Sequence, residues 1–545
     1  MNLARMAAEA EVIVVGGGSA GCAMAARLAE AGVATLLLEA GKSDVTLRSY
    51  VPALTFAVVN NPAFDRSIAA EPDTSLGGRR YLWPAARRLG GGSAINGMIY
   101  VRGHRRDYDG WAERGATGWG FDDVVPYFRR MERAEAGGDA WRGDSGPITV
   151  ARNRMSYPVV DAFIAAAGAV GIPRNPEQNG RLSGEGAFHS EATQHGGLRC
   201  SAARGYLRGA IDTSRLRVVT GIDVLKVIIT AGRATGVLVR HEGVEQVLPA
   251  RLGVVLSAGT LNTPRLLMLS GIGPAADLAR HGIACHADSP DVGANLQEHV
   301  GAHVVLATRS RSINSDTRGW RALGEGLSFL LRRRGALTTS MCHANAFART
   351  SAEADIPDVQ ISLTAMAFTF GPNGRAVLLK RPAVSVTVCL ARPEGRGRVE
   401  LRSADPDAPP LVQHRLLGSD ADLERLARGI EIARDIAAQP PLADLVEAEL
   451  APGRAVSGPA LRAHLRDNAI PLYHPVGTCR MGSDAAAVVD PDLAVHGVAG
   501  LWVADCSVMP TLPVGNTNAT AMMIGDKGAD HVLKAIRQAG MARAS

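Results

Sequence analysis

Lysine is nearly missing from this chain of 545 residues: Lys42, Lys226, Lys380, Lys527 and Lys534 are all there are, although Lys and Arg together number 59. Short arginine clusters at 105–106, 129–130 and 332–334 are scattered rather than gathered into one basic stripe, and the net charge is only +6. A nucleic-acid face needs concentrated positive charge, so nucleic acid is not expected as a partner. Aromatic residues make up only 4%. No apolar run approaches the ~18 residues that a membrane helix requires, so no span is expected. The seven cysteines are far apart and none forms a C-x-x-C pair. That pattern argues against a zinc site or a disulfide framework and fits free thiols in a reducing compartment. The first ten residues, MNLARMAAEA, are too short and polar for a secretory leader. A cytoplasmic location is the expectation.

What is abundant is glycine, with 61 residues, and 46% of the chain is hydrophobic. Residues 11–15 (EVIVV) read as a buried parallel strand. Gly16-Gly17-Gly18-Ser19-Ala20-Gly21 follows and fits G-x-G-x-x-G. A helix over 22–31, stopped by Gly32, and a second strand over 34–38 complete a βαβ start. Gly16 permits a sharp turn, Gly18 lets the backbone approach a pyrophosphate, and Gly21 lets helix and strand pack closely. The helix start offers free N–H groups and a positive dipole end. Glu39, eighteen residues beyond Gly21, can accept hydrogen bonds from both ribose hydroxyls and would repel a 2′-phosphate. These features indicate a dinucleotide without separating FAD from NAD.

Two further glycine-rich stretches stand at 86–103 (ARRLGGGSAINGMIYVRG) and 259–273 (GTLNTPRLLMLSGIG), the second after an expected strand over 253–257. Together with the N-terminal cradle, Asn295-Leu296-Gln297-Glu298-His299 and a C-terminal stretch around Tyr473-His474-Pro475, they resemble the signatures of the glucose-methanol-choline (GMC) oxidoreductase family, in the family's order. The resemblance spans the whole chain and implies FAD. It carries cofactor contacts onto Gly16, Gly18, Ser19, Gly21, Glu39, Gly91, Ser93, Asn96, Val224, Ala258, Asp505 and Asn518. Val224 lies in an expected strand over 222–229. Some members attach FAD through a histidine just before the signature asparagine; Ile95 stands there, so FAD is expected to be non-covalent.

The same resemblance makes His474 the catalytic base and Asn516 its hydroxyl-holding partner, with no metal. Alcohol oxidation needs a base within hydrogen-bond reach of the hydroxyl, and a largely neutral imidazole suits that task. The implied activity is FAD-dependent oxidation of a primary alcohol to an aldehyde, with oxygen or another compound as electron acceptor. The alternative is a hydroxynitrile-lyase-like relative that keeps FAD as structure. Many choline and alcohol dehydrogenases of the family hold a Glu where an ungapped comparison places His343, which disfavours a quaternary ammonium substrate and favours a neutral primary alcohol; His343 is otherwise a core or loop histidine.

The expected fold is α/β plus α+β. A Rossmann-like FAD-binding domain (1–45, 85–105, 195–305 and 471–545) is joined to a discontinuous substrate domain (46–84, 106–194 and 306–470) built on an antiparallel sheet with helices. Strands are expected within 382–392 and 397–402, and a helix over 420–438.

Overall fold

A computed structural model describes residues 3–211, 213–370 and 376–544. Its first layer is a five-stranded parallel sheet in the order Leu216–Thr220, Thr35–Glu39, Val12–Val15, Gly253–Leu256, Leu501–Val503. The Val12–Val15, Thr35–Glu39 and Gly253–Leu256 strands are buried at every position. That is why their sequences are continuous apolar runs rather than alternating ones. The crossover helix Ser19–Glu30 begins three residues earlier than expected, because the glycine-rich turn itself winds into the first helical turn. The strand expected over 34–38 occupies Thr35–Glu39, which brings Glu39 into the ladder.

The last helix, Asn518–Ala544, packs along Ser19–Glu30. Gly525 permits the approach: a Cβ there would lie 2.2 Å from the Ala20 carbonyl oxygen. Arg27 pairs with the buried Asp526 at 2.8 Å, and Tyr206 donates to the same carboxylate at 3.1 Å. The two ends of the chain therefore form one side of one layer.

The second layer is an antiparallel sheet in the order Val446–Ala451, Val300–Thr308, Ala383–Leu390, Val359–Thr364, Ala344–Ala348, Gly186–His189, with Ile470–Pro471 paired to Val300–Thr308. The boundary expected after residue 305 thus falls inside a strand. Side chains alternate between the faces of a strand. Val359, Ile361 and Leu363, with Val384, Val386 and Val388, belong to a buried apolar core that includes the helix Asp420–Ala437. Gly429 of that helix meets Val388 and Val359 closely enough that a Cβ would approach their methyls to 2.7 and 3.2 Å. The alternate positions, Gln360, Ser362 and Thr364 with Ser385, Thr387 and Cys389, face away from this core and line a cavity between the layers. Among the described residues no helix is long and apolar enough to cross a membrane.

Candidate functional site

One cavity of about 1270 Å³ runs from Glu39 to the polar face of the antiparallel sheet. Ordinary ligand sites occupy roughly 300–1,000 Å³, so there is room for a dinucleotide with a second molecule beside it. Of the fourteen residues expected at the site, twelve line this cavity: Gly16, Gly18, Ser19, Glu39, Gly91, Asn96, Val224, Ala258, Asp505, Asn518, His474 and Asn516. Gly21 and Ser93 do not. Gly21 serves packing, since a Cβ there would sit 1.9 Å from the Gly16 carbonyl oxygen. The Ser93 hydroxyl braces the loop: it donates to the Gly90 carbonyl at 2.5 Å and accepts from the Ala202 amide at 2.9 Å, between Gly92 and Ile95, which line the cavity. The signature loop turns that hydroxyl inward to hold its own curvature.

The cradle is shaped by close backbone approach. Gly16 has φ +100°, and a Cβ on it would meet the Ser257 carbonyl oxygen at 2.4 Å. Gly91, at φ +52°, would bring a Cβ within 2.6 Å of Gly18 Cα. Glycine is the residue that tolerates both demands. Two helices begin at the cavity, and their starts are tied together by the Ser19 hydroxyl, which donates to Asn518 Oδ1 at 2.8 Å. Their free N–H groups favour a pyrophosphate. Glu39 accepts from the amides of Gly17 at 2.9 Å and Gly41 at 2.7 Å. A carboxylate has about four lone-pair sites, so capacity for ribose hydroxyls is left. Burial pushes its carboxyl pKa up, against the lowering effect of those two amides. Val224 borders a register shift in its strand, where backbone groups leave the ladder and can meet a ring edge. Asp505 accepts from the Gly259 amide at 2.9 Å and the Thr263 hydroxyl at 2.6 Å, joining the second glycine stretch to the chain's end. The residues present fit FAD.

A buried guanidinium supports the first signature. Arg199 donates to the carbonyls of Ser49 and Ser93, to Asn96 Oδ1 at 2.8 Å and to the Thr55 hydroxyl at 2.8 Å. Burial pulls its pKa down to about 9. Nothing in the glycine pattern pointed to it, because its anchor points lie a hundred and more residues away.

At the far end the histidines are linked. His474 Nδ1 lies 2.9 Å from His299 Nδ1, and His299 Nε2 lies 3.0 Å from the Ala391 carbonyl oxygen. A carbonyl only accepts, so His299 carries its proton on Nε2 and its Nδ1 is the acceptor for His474 Nδ1–H. That leaves His474 Nε2 with a free lone pair, which accepts from Asn516 Nδ2 at 3.1 Å. The Asn516 amide is oriented from behind by Gln360, whose Nε2 donates to Asn345 Oδ1 at 2.9 Å and lies 3.5 Å from Asn516 Oδ1. Burial lowers the His299 pKa to about 4, and burial with the neighbouring His299 puts His474 well below its ordinary value. Glu298 accepts the His474 backbone N–H at 2.7 and 3.0 Å and so fixes the segment carrying the imidazole. The site therefore presents a neutral imidazole whose basic nitrogen is set by a chain of hydrogen bonds.

His299 and Glu298 were visible in the sequence only as part of a signature. Their partnership with His474 spans 175 and 176 residues. His343 is settled as a core histidine. It is buried and off the cavity, its Nδ1 accepts from the Ala365 amide at 3.2 Å, and its Nε2 lies 2.9 Å from the Thr339 hydroxyl.

The buried neutral histidines make stability depend on pH. His299 and His343 each have a folded pKa of about 4, below the ordinary 6.5. The unfolded chain binds more protons between those values, so their contribution is complete above about pH 6.5 and is lost as pH falls toward 4. The loss is roughly 1.4 kcal/mol per pH unit for each group. Denaturant midpoints measured from about pH 7 to about pH 5 should fall accordingly, and a flat profile would show these imidazoles to be solvated.

A parallel sheet bearing a glycine-rich cradle, joined to a cavity with a neutral imidazole at its far end, has the make-up of a nucleotide-dependent oxidoreductase. Sequence comparison gives the rest. Two GMC oxidoreductase profiles match residues 10–301 and 393–525. The oxygen-dependent choline dehydrogenase of Rhizobium johnstonii is 38% identical over 531 residues, covering 96% of both chains. Among solved structures, pyridoxine 4-oxidase from Mesorbium loti superposes with a TM-score of 0.84 at 28% identity, covering 96% of this chain and 98% of that one. Formate oxidase from Aspergillus oryzae gives 0.88 at 26% identity, with 96% and 98% covered. The chain belongs to the GMC oxidoreductase family. Its cofactor is FAD, and it is an oxidoreductase acting on the CH–OH group of alcohols.

Proposed function

We propose that the protein oxidises a neutral primary alcohol to the aldehyde, with His474 as base and Asn516 as the group that holds the hydroxyl. The observation that carries this reading is the hydrogen-bonded series Asn516, His474, His299 and the Ala391 carbonyl, ending at the cavity with an unprotonated Nε2. A substrate hydroxyl takes the place of the direct Asn516–His474 contact. Its oxygen accepts from Asn516 Nδ2, and its proton goes to His474 Nε2. The resulting imidazolium keeps its Nδ1–H on His299, which has no competing proton at that nitrogen. Bound FAD supplies the acceptor for the hydride that leaves the same carbon. Non-covalent binding is part of the reading, since Ile95 lines the cavity with no nucleophilic atom. The two-domain division, with its junction moved to the start of the Val300–Thr308 strand, is proposed likewise.

The substrate class rests on the cavity wall. Register pairs Ser362 with Thr387, Thr364 with Ser385 and His303 with Thr387, so hydroxyls of adjacent strands form a polar ladder. Phe56 and Phe368 stand beside it in edge-to-face contact at 4.8 Å. The carboxylates among the described lining residues are Glu39, Asp223 and Asp505. Glu39 and Asp505 belong to the cradle, and Asp223 is paired with Arg87 at 2.7 Å. A quaternary ammonium favours an acidic or aromatic enclosure. This wall offers hydroxyls, one aromatic pair and the separate ring of Tyr473, with no carboxylate outside the cradle and the Arg87 pair, which suits an uncharged alcohol with further polar groups, although the relative named above acts on choline.

An anaerobic screen of alcohols by flavin absorbance tests the proposal. Bleaching by neutral primary alcohols, with choline a poorer substrate, is expected. Bleaching by choline alone would overturn the substrate class. A flavin that stays oxidised with every alcohol while cyanohydrins are cleaved would establish the lyase reading instead. Thr387→Val removes a rung of the ladder and should raise KM by about tenfold with kcat less affected, the cost of one unpaired polar contact.

A further inference from the structure

The helix Gly319–Arg332 is inverted relative to an ordinary surface helix. Its inward face carries Ala322, Glu325 and Phe329, and of the whole helix only Phe329 is buried. Its outward face carries Trp320, Leu323, Leu327, Leu330 and Leu331, each more than half exposed, with Trp320 at 88%. At 3.6 residues per turn these five side chains fall within an arc of about 100°, opposite Phe329. Exposed apolar residues are ordinarily scattered singly, and a contiguous stripe of this kind marks an interaction site.

The exposed charge around the stripe has one sign; the buried Asp316 lies 3.8 Å from Arg321. Arg318, Arg321, Arg332, Arg333 and Arg334 are all exposed. The helix's single acid, Glu325, turns inward and accepts the Ala336 amide at 2.7 Å. A second copy of the same face would set like guanidiniums against each other, which disfavours self-association through it. A stripe of leucines with a tryptophan, framed by arginines and lacking outward acids, has the composition of a helix lying in the interface of an anionic bilayer. Its setting agrees. The turn that follows, Ala336–Thr338, packs against Pro52–Ala57, whose Thr55, Phe56 and Ala57 line the cavity, Ala57 at the protein surface. The adjoining short helix Leu47–Tyr50 exposes Leu47, with Val45 just before it.

We propose that the helix Gly319–Arg332 seats this enzyme on the surface of a membrane containing anionic lipid, with the cavity entrance beside the seat. The docking is peripheral: the apolar face enters the boundary of headgroups and acyl chains, and the arginines meet lipid phosphates.

Flotation of the full-length, FAD-loaded protein with vesicles tests this. Binding to phosphatidylcholine vesicles containing phosphatidylglycerol is expected, weakening with added salt, and pure phosphatidylcholine should bind poorly. L323E/L327E/L330E should abolish binding. Neutralising Arg321, Arg332 and Arg334 to Gln should weaken it by about fivefold for each arginine. Trp320 emission, taken as the difference between wild type and W320F, should shift to the blue and be quenched by brominated lipid. Flavin absorbance and turnover of a water-soluble alcohol should be unchanged in these variants, which shows that they are folded. A wild-type protein that stays unbound with anionic vesicles would overturn the proposal, as would undiminished binding by the triple glutamate variant. So would a wild-type dimer that the same substitutions dissociate without any lipid binding, which would assign the stripe to a second copy of the chain.

Discussion

Replacing His474 by alanine is expected to slow anaerobic flavin reduction by an alcohol about a thousandfold while FAD stays bound. A positioned general base contributes on the order of 10²–10⁴ in rate, and the larger part of that range applies where the base's tautomer is fixed in advance. Here the fixing is explicit, because His299 takes the Nδ1 proton and Asn516 meets Nε2. His474 lines the far end of the cavity from Glu39 and is not among the residues that shape the cradle, so the flavin spectrum and the FAD content should be unaltered. Rapid mixing with substrate measures the effect, and reduction at the wild-type rate would remove His474 from the mechanism. Replacing His299 by Asn should give a smaller loss and change the pH profile of reduction. That split separates a positioning residue from the base itself.

The second large effect belongs to Gly91. Alanine there is strained twice, once by φ +52° and once by a Cβ only 2.6 Å from Gly18 Cα. The backbone has to give, since neither contact atom ends a flexible side chain. The two glycine segments that hold the cofactor are then forced apart. A penalty of about 3 kcal/mol, typical of a residue forced out of an allowed conformation, corresponds to roughly 100-fold weaker FAD binding. The variant should purify largely colourless but folded, and titration of the apoprotein with FAD gives the affinity. Full occupancy at stoichiometric FAD would mean that the loops do not meet around the cofactor.

How far the sequence reached depends on how local each feature is. The cradle was legible because a strand, a glycine turn, a helix and Glu39 follow one another within thirty residues, and each has a distinct physical signature. The strands on its other side were not, since its neighbour Gly253–Leu256 and, beyond that, Leu501–Val503 come from the middle and the end of the chain. The segment 383–390 (AVSVTVCL) shows plainly that one face is apolar and one polar. Which face meets the cavity is decided by Gly429 and its helix, which claim Val388 and Val359. For the same reason Ser93 was assigned by its place in a signature, whereas the bonds of its hydroxyl to Gly90 and Ala202 are seen only in the fold. His299 was in view but had no role, because a histidine's function is set by what its two nitrogens reach. The exposed stripe on Gly319–Arg332 was invisible for a related cause. Its period fits any amphipathic helix, and only packing reveals which face is left outside.

The account stands on His474 being held at the reactive edge of the flavin. A crystal structure of the FAD-loaded protein tests that most directly. It should show the isoalloxazine between the cradle and the polar ladder, with its hydride-accepting edge facing His474 Nε2 and Asn516. An isoalloxazine lying away from these two side chains, with the imidazole packed against protein alone, would contradict it.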